Sequence, residues 1–180
     1  MRKILFTIVI MSLLMFTATG LQARGIGVYG GWIFMQDDYE DEAVYDYENT
    51  YTVGVLFDMG SFLFNSLIFR PAFDYVSCEG DEVDTWDKEV YGIHLDWYWH
   101  FLGTGSFSPF LGFGATLNYY EWDDNVIDED SDAGAEVFAG FNINLTGSIV
   151  LMIQGRYAWN DIASRDENMG KVLAGLIFKF

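Results

Sequence analysis

Beyond residue 23, apolar side chains recur at every second position, not every third or fourth. That period places neighbours on opposite faces of an extended chain, so it predicts strands and leaves no helix of useful length. Eight stretches carry it: 25–36, 50–58, 62–77, 88–101, 107–120, 134–145, 148–159 and 170–180. Most run to ten residues or more. That is long against the ~5–6 of soluble sheets and suits the ~9–11 of a tilted strand crossing a bilayer.

The links between stretches alternate in kind. Asp58 to Ser61, Gly103 to Ser106 and Thr146-Gly147 read as tight turns. Residues 36–49, 78–87, 121–133 and 160–170 are long and acidic, and 23 of the 27 acidic residues fall in them or at their edges. Short turns at one end and long loops at the other describe a transmembrane barrel whose long loops face outward from the cell. An even strand number puts both chain ends on the short-turn side.

Seven stretches have one clearly apolar parity, for example Leu67, Phe69, Pro71, Phe73 and Tyr75, or Leu111, Phe113, Ala115 and Leu117. In the first, Ile26, Val28, Trp32 and Phe34 compete with Tyr29, Ile33 and Met35. The other parity holds glycine and polar residues. Its charges balance: Arg70, Arg156, Lys171 and Lys179 against Asp58, Asp74, Asp96 and Glu136. Equal numbers suit an enclosed lumen, where an unpaired charge is costly. The aromatics gather at two levels, Tyr51, Tyr75, Tyr91, Tyr119, Tyr157 and Trp159 toward the loops, and Phe57, Trp97, Trp99, Phe107, Phe178 and Phe180 toward the turns. Two such belts mark two membrane interfaces.

Residues 1–23 read as a secretory leader: Arg2 and Lys3, an apolar run from Ile4 to Phe16, then small residues, with cleavage after Ala23 or, as the rival, after Gly20. The expected organisation is a leader at 1–23 and one barrel domain at 24–180. The formal charge is −18; without Arg2 and Lys3, seven basic residues face 27 acidic ones, giving −20. Such a chain repels nucleic acid. The lone cysteine, Cys78, excludes an intrachain disulfide.

The last stretch alternates Val172, Ala174, Leu176, Phe178 and ends on Phe180. It resembles the C-terminal targeting strand of bacterial outer-membrane barrels. With the leader, strand count and loop alternation, the chain resembles the small eight-stranded outer-membrane β-barrel family, which includes outer membrane protein X and the transmembrane domain of outer membrane protein A. The resemblance implies an all-β, eight-stranded antiparallel up-and-down transmembrane barrel in the outer membrane. It further implies a monomer without a cofactor, in contact with membrane lipid and lipopolysaccharide, and delivered to the barrel assembly machinery by its final strand.

Candidate chemistry is sparse. The inward residues Arg70, Asp74, His94, Asp96, Glu136, Arg156 and Lys171 are expected to form a lumen polar network, with Arg70, Asp74 and Asp96 on two adjoining strands and Glu136, Arg156 and Lys171 on three others. His94 and His100 stand roughly 20 Å apart at ~3.3 Å per residue, so they cannot share a metal ion. Ser66 and Ser108 are the strand serines, and neither has a His–acid set nearby in sequence. Asp128, Asp130 and Asp132 alternate like the start of a calcium loop, but Gly134 is one place late and Ala139 stands where the closing Glu belongs. They are read as weak cation contacts that could bridge to lipopolysaccharide. No catalytic, cofactor or specific metal residue is expected. The function expected is structural or surface-interacting (envelope integrity, adhesion or cation binding, with a cationic extracellular partner). The alternatives are a narrow pore for small solutes and a lipid-modifying enzyme.

Overall fold

The computed structural model describes residues 24–36, 50–61, 65–78, 88–103, 105–122, 130–159 and 168–180. The expected leader, most of the four long links and Asp128 lie outside the described residues. Eight strands follow one another: β1 (Gly25–Gln36), β2 (Tyr51–Asp58), β3 (Leu67–Cys78), β4 (Lys88–Trp99), β5 (Phe107–Trp122), β6 (Asp130–Asn144), β7 (Ile149–Trp159) and β8 (Asn168–Lys179). Each pairs antiparallel with its sequence neighbours. β1 and β8 pair from Gly25↔Lys179 to Gln36↔Asn168, closing the barrel. Closure satisfies every edge at once, which is what a sheet in hydrocarbon requires.

The apolar parity faces outward. On β1, Ile26, Val28, Trp32 and Phe34 are exposed and Tyr29 and Ile33 buried, which settles the ambiguous strand. Trp32 and Phe34 remain 67% and 62% exposed, part of an apolar outer face continuous over the strands, as a lipid-facing surface is. The tyrosines of the loop-side belt sit side by side, Tyr75↔Tyr91↔Tyr119. Both Tyr75 and Tyr91 hydroxyls donate to Glu89, at 3.1 and 2.7 Å. Near the turns, Trp97 packs against Phe69 and Phe113, with centroids 5.2 and 5.5 Å away.

Several boundaries move. β5 and β6 climb past the expected ends, pairing Tyr120↔Asp130 and Asn118↔Asp132. Asp130 and Asp132 therefore stand on a strand, not in a loop, because backbone pairing continues beyond the apolar band that the sequence pattern reports. β3 instead begins at Leu67. The ladder slips one residue between Leu56↔Ala72 and Ser61↔Ile68, with Gly60 at φ 77 in the bulge. The turn after Asp58 is thus longer than four residues, and Ser66 lies in it. β4 ends at Trp99. The chain then turns on a Gly103 N–H to His100 carbonyl bond of 3.0 Å, with Gly103 at φ 79.

The lumen is less polar than its sequence parity implies. Leu56, Phe110, Phe138, Met152, Leu173 and Ile177 belong to one buried cluster in the turn-side half. Ile33, Val76, Val90, Tyr120, Ala158 and Met169 form another near the loops. Eight strands leave an interior that side chains fill, and inward glycines make the filling possible: the Phe138 ring lies where a Cβ of Gly112 would stand.

Candidate functional site

Six charged side chains, Asp74, His94, Asp96, Glu136, Arg156 and Lys171, occupy a band between those apolar clusters. Its core is made by register and by two glycines. On β4, β5 and β6 the row runs Asp96↔Gly114↔Glu136, so two carboxylates lean toward each other over a residue without a side chain. Two inward rows toward the loops, Asp74↔Gly92 leaves room for the His94 ring beside Asp74.

Arg156 crosses the lumen from β7. Its Nη1 donates to Glu136 Oε1 at 2.6 Å, and its Nη2 donates to Asp96 Oδ2 and to the Tyr98 hydroxyl, each at 2.6 Å. The Gln154 amide oxygen, turned toward it, accepts from Nε at 2.9 Å. The guanidinium also lies 4.4 Å from the Phe138 ring centroid. His94 bridges two acids, with Nε2 3.0 Å from Asp74 Oδ1 and Nδ1 3.0 Å from Glu136 Oε1. Lys171 reaches Asp74 Oδ2 from β8 at 3.5 Å, and the Thr52 hydroxyl reaches the same oxygen at 3.5 Å. All six charged groups are buried. The links join β3 to β8 and β4 to β7, strands three apart around the wall, so they tie the barrel across its axis.

Arg70 stands apart from this network. Register sets it opposite Asp96, yet its Nη2 pairs with Asp58 Oδ2 at 3.1 Å. The Gly60 N–H donates to Asp58 Oδ1 at 2.9 Å. Its guanidinium stacks 4.6 Å above the Tyr98 ring. The sequence grouping of Arg70 with Asp74 and Asp96 thus gives way to a pair at the turn end, where Asp58 stands inward on the last residue of β2 beside the bulge at Gly60.

Sequence reasoning missed one contact. Ser108 Oγ lies 2.7 Å from His100 Nδ1 and donates to the Gly103 carbonyl at 2.6 Å. The two meet because the turn after β4 folds His100 back against β5, a proximity that spacing along the chain does not reveal. Both are buried. With the serine proton committed to a carbonyl, His100 donates to Ser108 and is not positioned as its base. Of the other singled-out residues, Val172, Ala174, Leu176 and Phe178 line the outer face of β8, and Phe180 follows it, 82% exposed.

No family model matches the chain. No curated protein matches it either. Solved structures do. Neisserial surface protein A superposes with a TM-score of 0.66 at 17% identity, covering 87% of this chain and 96% of that one. Ail, the attachment invasion locus protein of Yersinia pestis, gives 0.57 at 13%, covering 87% and 97%. The outer membrane enzyme PagL gives 0.53 at 11%, covering 87% and 99%. At such identities the likeness is one of fold, that of the small eight-stranded outer-membrane barrels, and it includes both surface proteins and an enzyme.

Proposed function

We propose that this chain, built on the fold of the small outer-membrane barrels, is a sealed, non-enzymatic monomer of the bacterial outer membrane whose acidic loop end engages cationic partners outside the cell. On this reading residues 1–23 are removed on export, residues 24–180 form the barrel, and the β8 face ending in Phe180 is what the assembly machinery reads. The observation that carries it is the cross-lumen ties, Arg156 to Asp96 and Lys171 to Asp74, held between two apolar layers. A path for hydrated ions would have to break those ties and wet both layers. What remains for function is the exterior, and in the sequence 23 of the 27 acidic residues fall in or at the edges of the four long links.

The charge selects the partner class. Ail has been crystallised with a heparin analogue, sucrose octasulfate, a polyanion. The acidic end of this chain repels polyanions and attracts polycations, divalent ions and basic proteins. Asp130 and Asp132, at the top of β6, add to that field next to the lipopolysaccharide layer. A lipid-modifying activity, the enzymatic alternative, finds little support in the Ser108–His100 pair, buried at the turn end.

Two measurements test this reading. The purified barrel in a planar bilayer should give no conductance steps above the detergent control; ion-selective steps would favour the narrow pore. Liposomes carrying the barrel should bind a basic protein in low salt and release it by about 0.5 M salt, as screening shortens the Debye length to a few ångströms. Binding that survives salt, or is unchanged when Asp and Glu of residues 37–48 become Asn and Gln, would refute the electrostatic role.

A further inference from the structure

We propose that His94, Asp96 and Glu136 form a binding site for one divalent transition-metal ion at the centre of the barrel. Their ligating atoms lie within 4.8 Å of one another, and all three residues are buried. A four-coordinate ion with bonds of about 2.0–2.2 Å needs its ligands roughly 3.3–3.6 Å apart, so small torsions close the set.

Two atoms point to an ion. Asp96 Oδ1 and Glu136 Oε2 are buried and accept from no N–H or hydroxyl donor, the two carboxylates lying against each other, while the other oxygen of each accepts from Arg156 and that of Glu136 also faces His94. An anionic oxygen left unpaired in a lumen is costly. Gly114, lying between the two carboxylates, removes the side chain that would otherwise stand against both.

The surroundings are those of a supported site. Asp74 Oδ1 sits 3.0 Å from His94 Nε2, a charge contact outside hydrogen-bond alignment, so a small ring rotation would let Asp74 hold the Nε2 proton while Nδ1 ligates. Arg156 holds the outer oxygens of both carboxylates, as second partners of ligating carboxylates do. Before binding, three carboxylates (Asp74, Asp96, Glu136) face three cations (His94, Arg156, Lys171), and the ion takes the place of the His94 charge. Binding displaces the proton that Nδ1 would otherwise present to Glu136. One imidazole with two carboxylates suits zinc, manganese or cobalt, and an imidazole ligand disfavours calcium and magnesium. Since apolar layers close both sides, the ion is taken up as the barrel folds.

The test refolds the urea-unfolded, chelator-treated barrel in detergent with Zn2+ or Co2+, then strips loosely held ions from the acidic loops with excess chelator. Wild type should retain one zinc per barrel by elemental analysis, and its cobalt form should show visible ligand-field bands of an imidazole–carboxylate site. H94Q should retain none. A folded wild type without retained metal, or equal retention in H94Q, overturns the proposal. If H94Q does not fold, the wild-type cobalt spectrum decides: the spectrum of the aqueous ion overturns it, a site spectrum supports it.

Discussion

Two ionic arrangements share one lumen and are built differently. Toward the turns, Arg70 and Asp58 make a single pair, with Asp58 completed by a backbone N–H and Arg70 resting on an aromatic ring. Further toward the loops, Arg156 serves two carboxylates, and His94 and Lys171 bring in a third. The first arrangement pins a bulged turn to the wall. The second joins strands that never touch along the sheet. The difference teaches that equal charge numbers do not imply equal roles: a buried ion contributes in proportion to how many partners it leaves unmatched when removed.

That contrast can be broken by mutation, with stability read as urea unfolding in detergent. Arg156→Leu should cost the most, about 3–5 kcal/mol, since it strands Asp96 and Glu136 together. Arg70→Leu should cost about 2 kcal/mol, because only Asp58 is orphaned and it keeps the Gly60 N–H; adding Asp58→Leu should recover much of that loss. Equal costs for the two arginines would erase the distinction drawn here. Gly114→Ala should follow at roughly 1–2 kcal/mol, as the new methyl pushes against both carboxylates. Gly155→Ala is its control: that Cβ would meet nothing within 4 Å, and the change should stay within about 0.5 kcal/mol. Smallest is Thr146→Ala, outside both layers. Its hydroxyl accepts from the Ile149 N–H at 3.0 Å, so about 0.5–1 kcal/mol should disappear with no effect on the lumen.

The lipid face was legible because it is local. Alternation along β3 to β8 tells inside from outside strand by strand, and the final strand from Val172 to Phe180 needs no partner to be recognised. Boundaries were less legible where pairing and hydropathy part company: β6 reaches Asp130 through backbone bonds, while β3 starts late because of the slip at Gly60. The inward apolar residues were hidden for a related reason. In runs such as Val150 to Ile153, both parities are apolar, and period-two reading has nothing to separate.

The candidate site divides along the same line. What belongs to one chain segment is parity: Arg70, Asp74, His94, Asp96, Glu136, Arg156 and Lys171 share the less apolar parity of their strands, and all seven side chains are buried. Who meets whom was decided by closure. Asp96 binds Arg156 from three strands away, Lys171 reaches Asp74 across the axis, and Arg70 turns from its register neighbour to Asp58. Parity is a property of one strand and survives in the chain order. A contact across a lumen depends on the curvature and stagger of all eight strands together, and exists only once the last has joined the first.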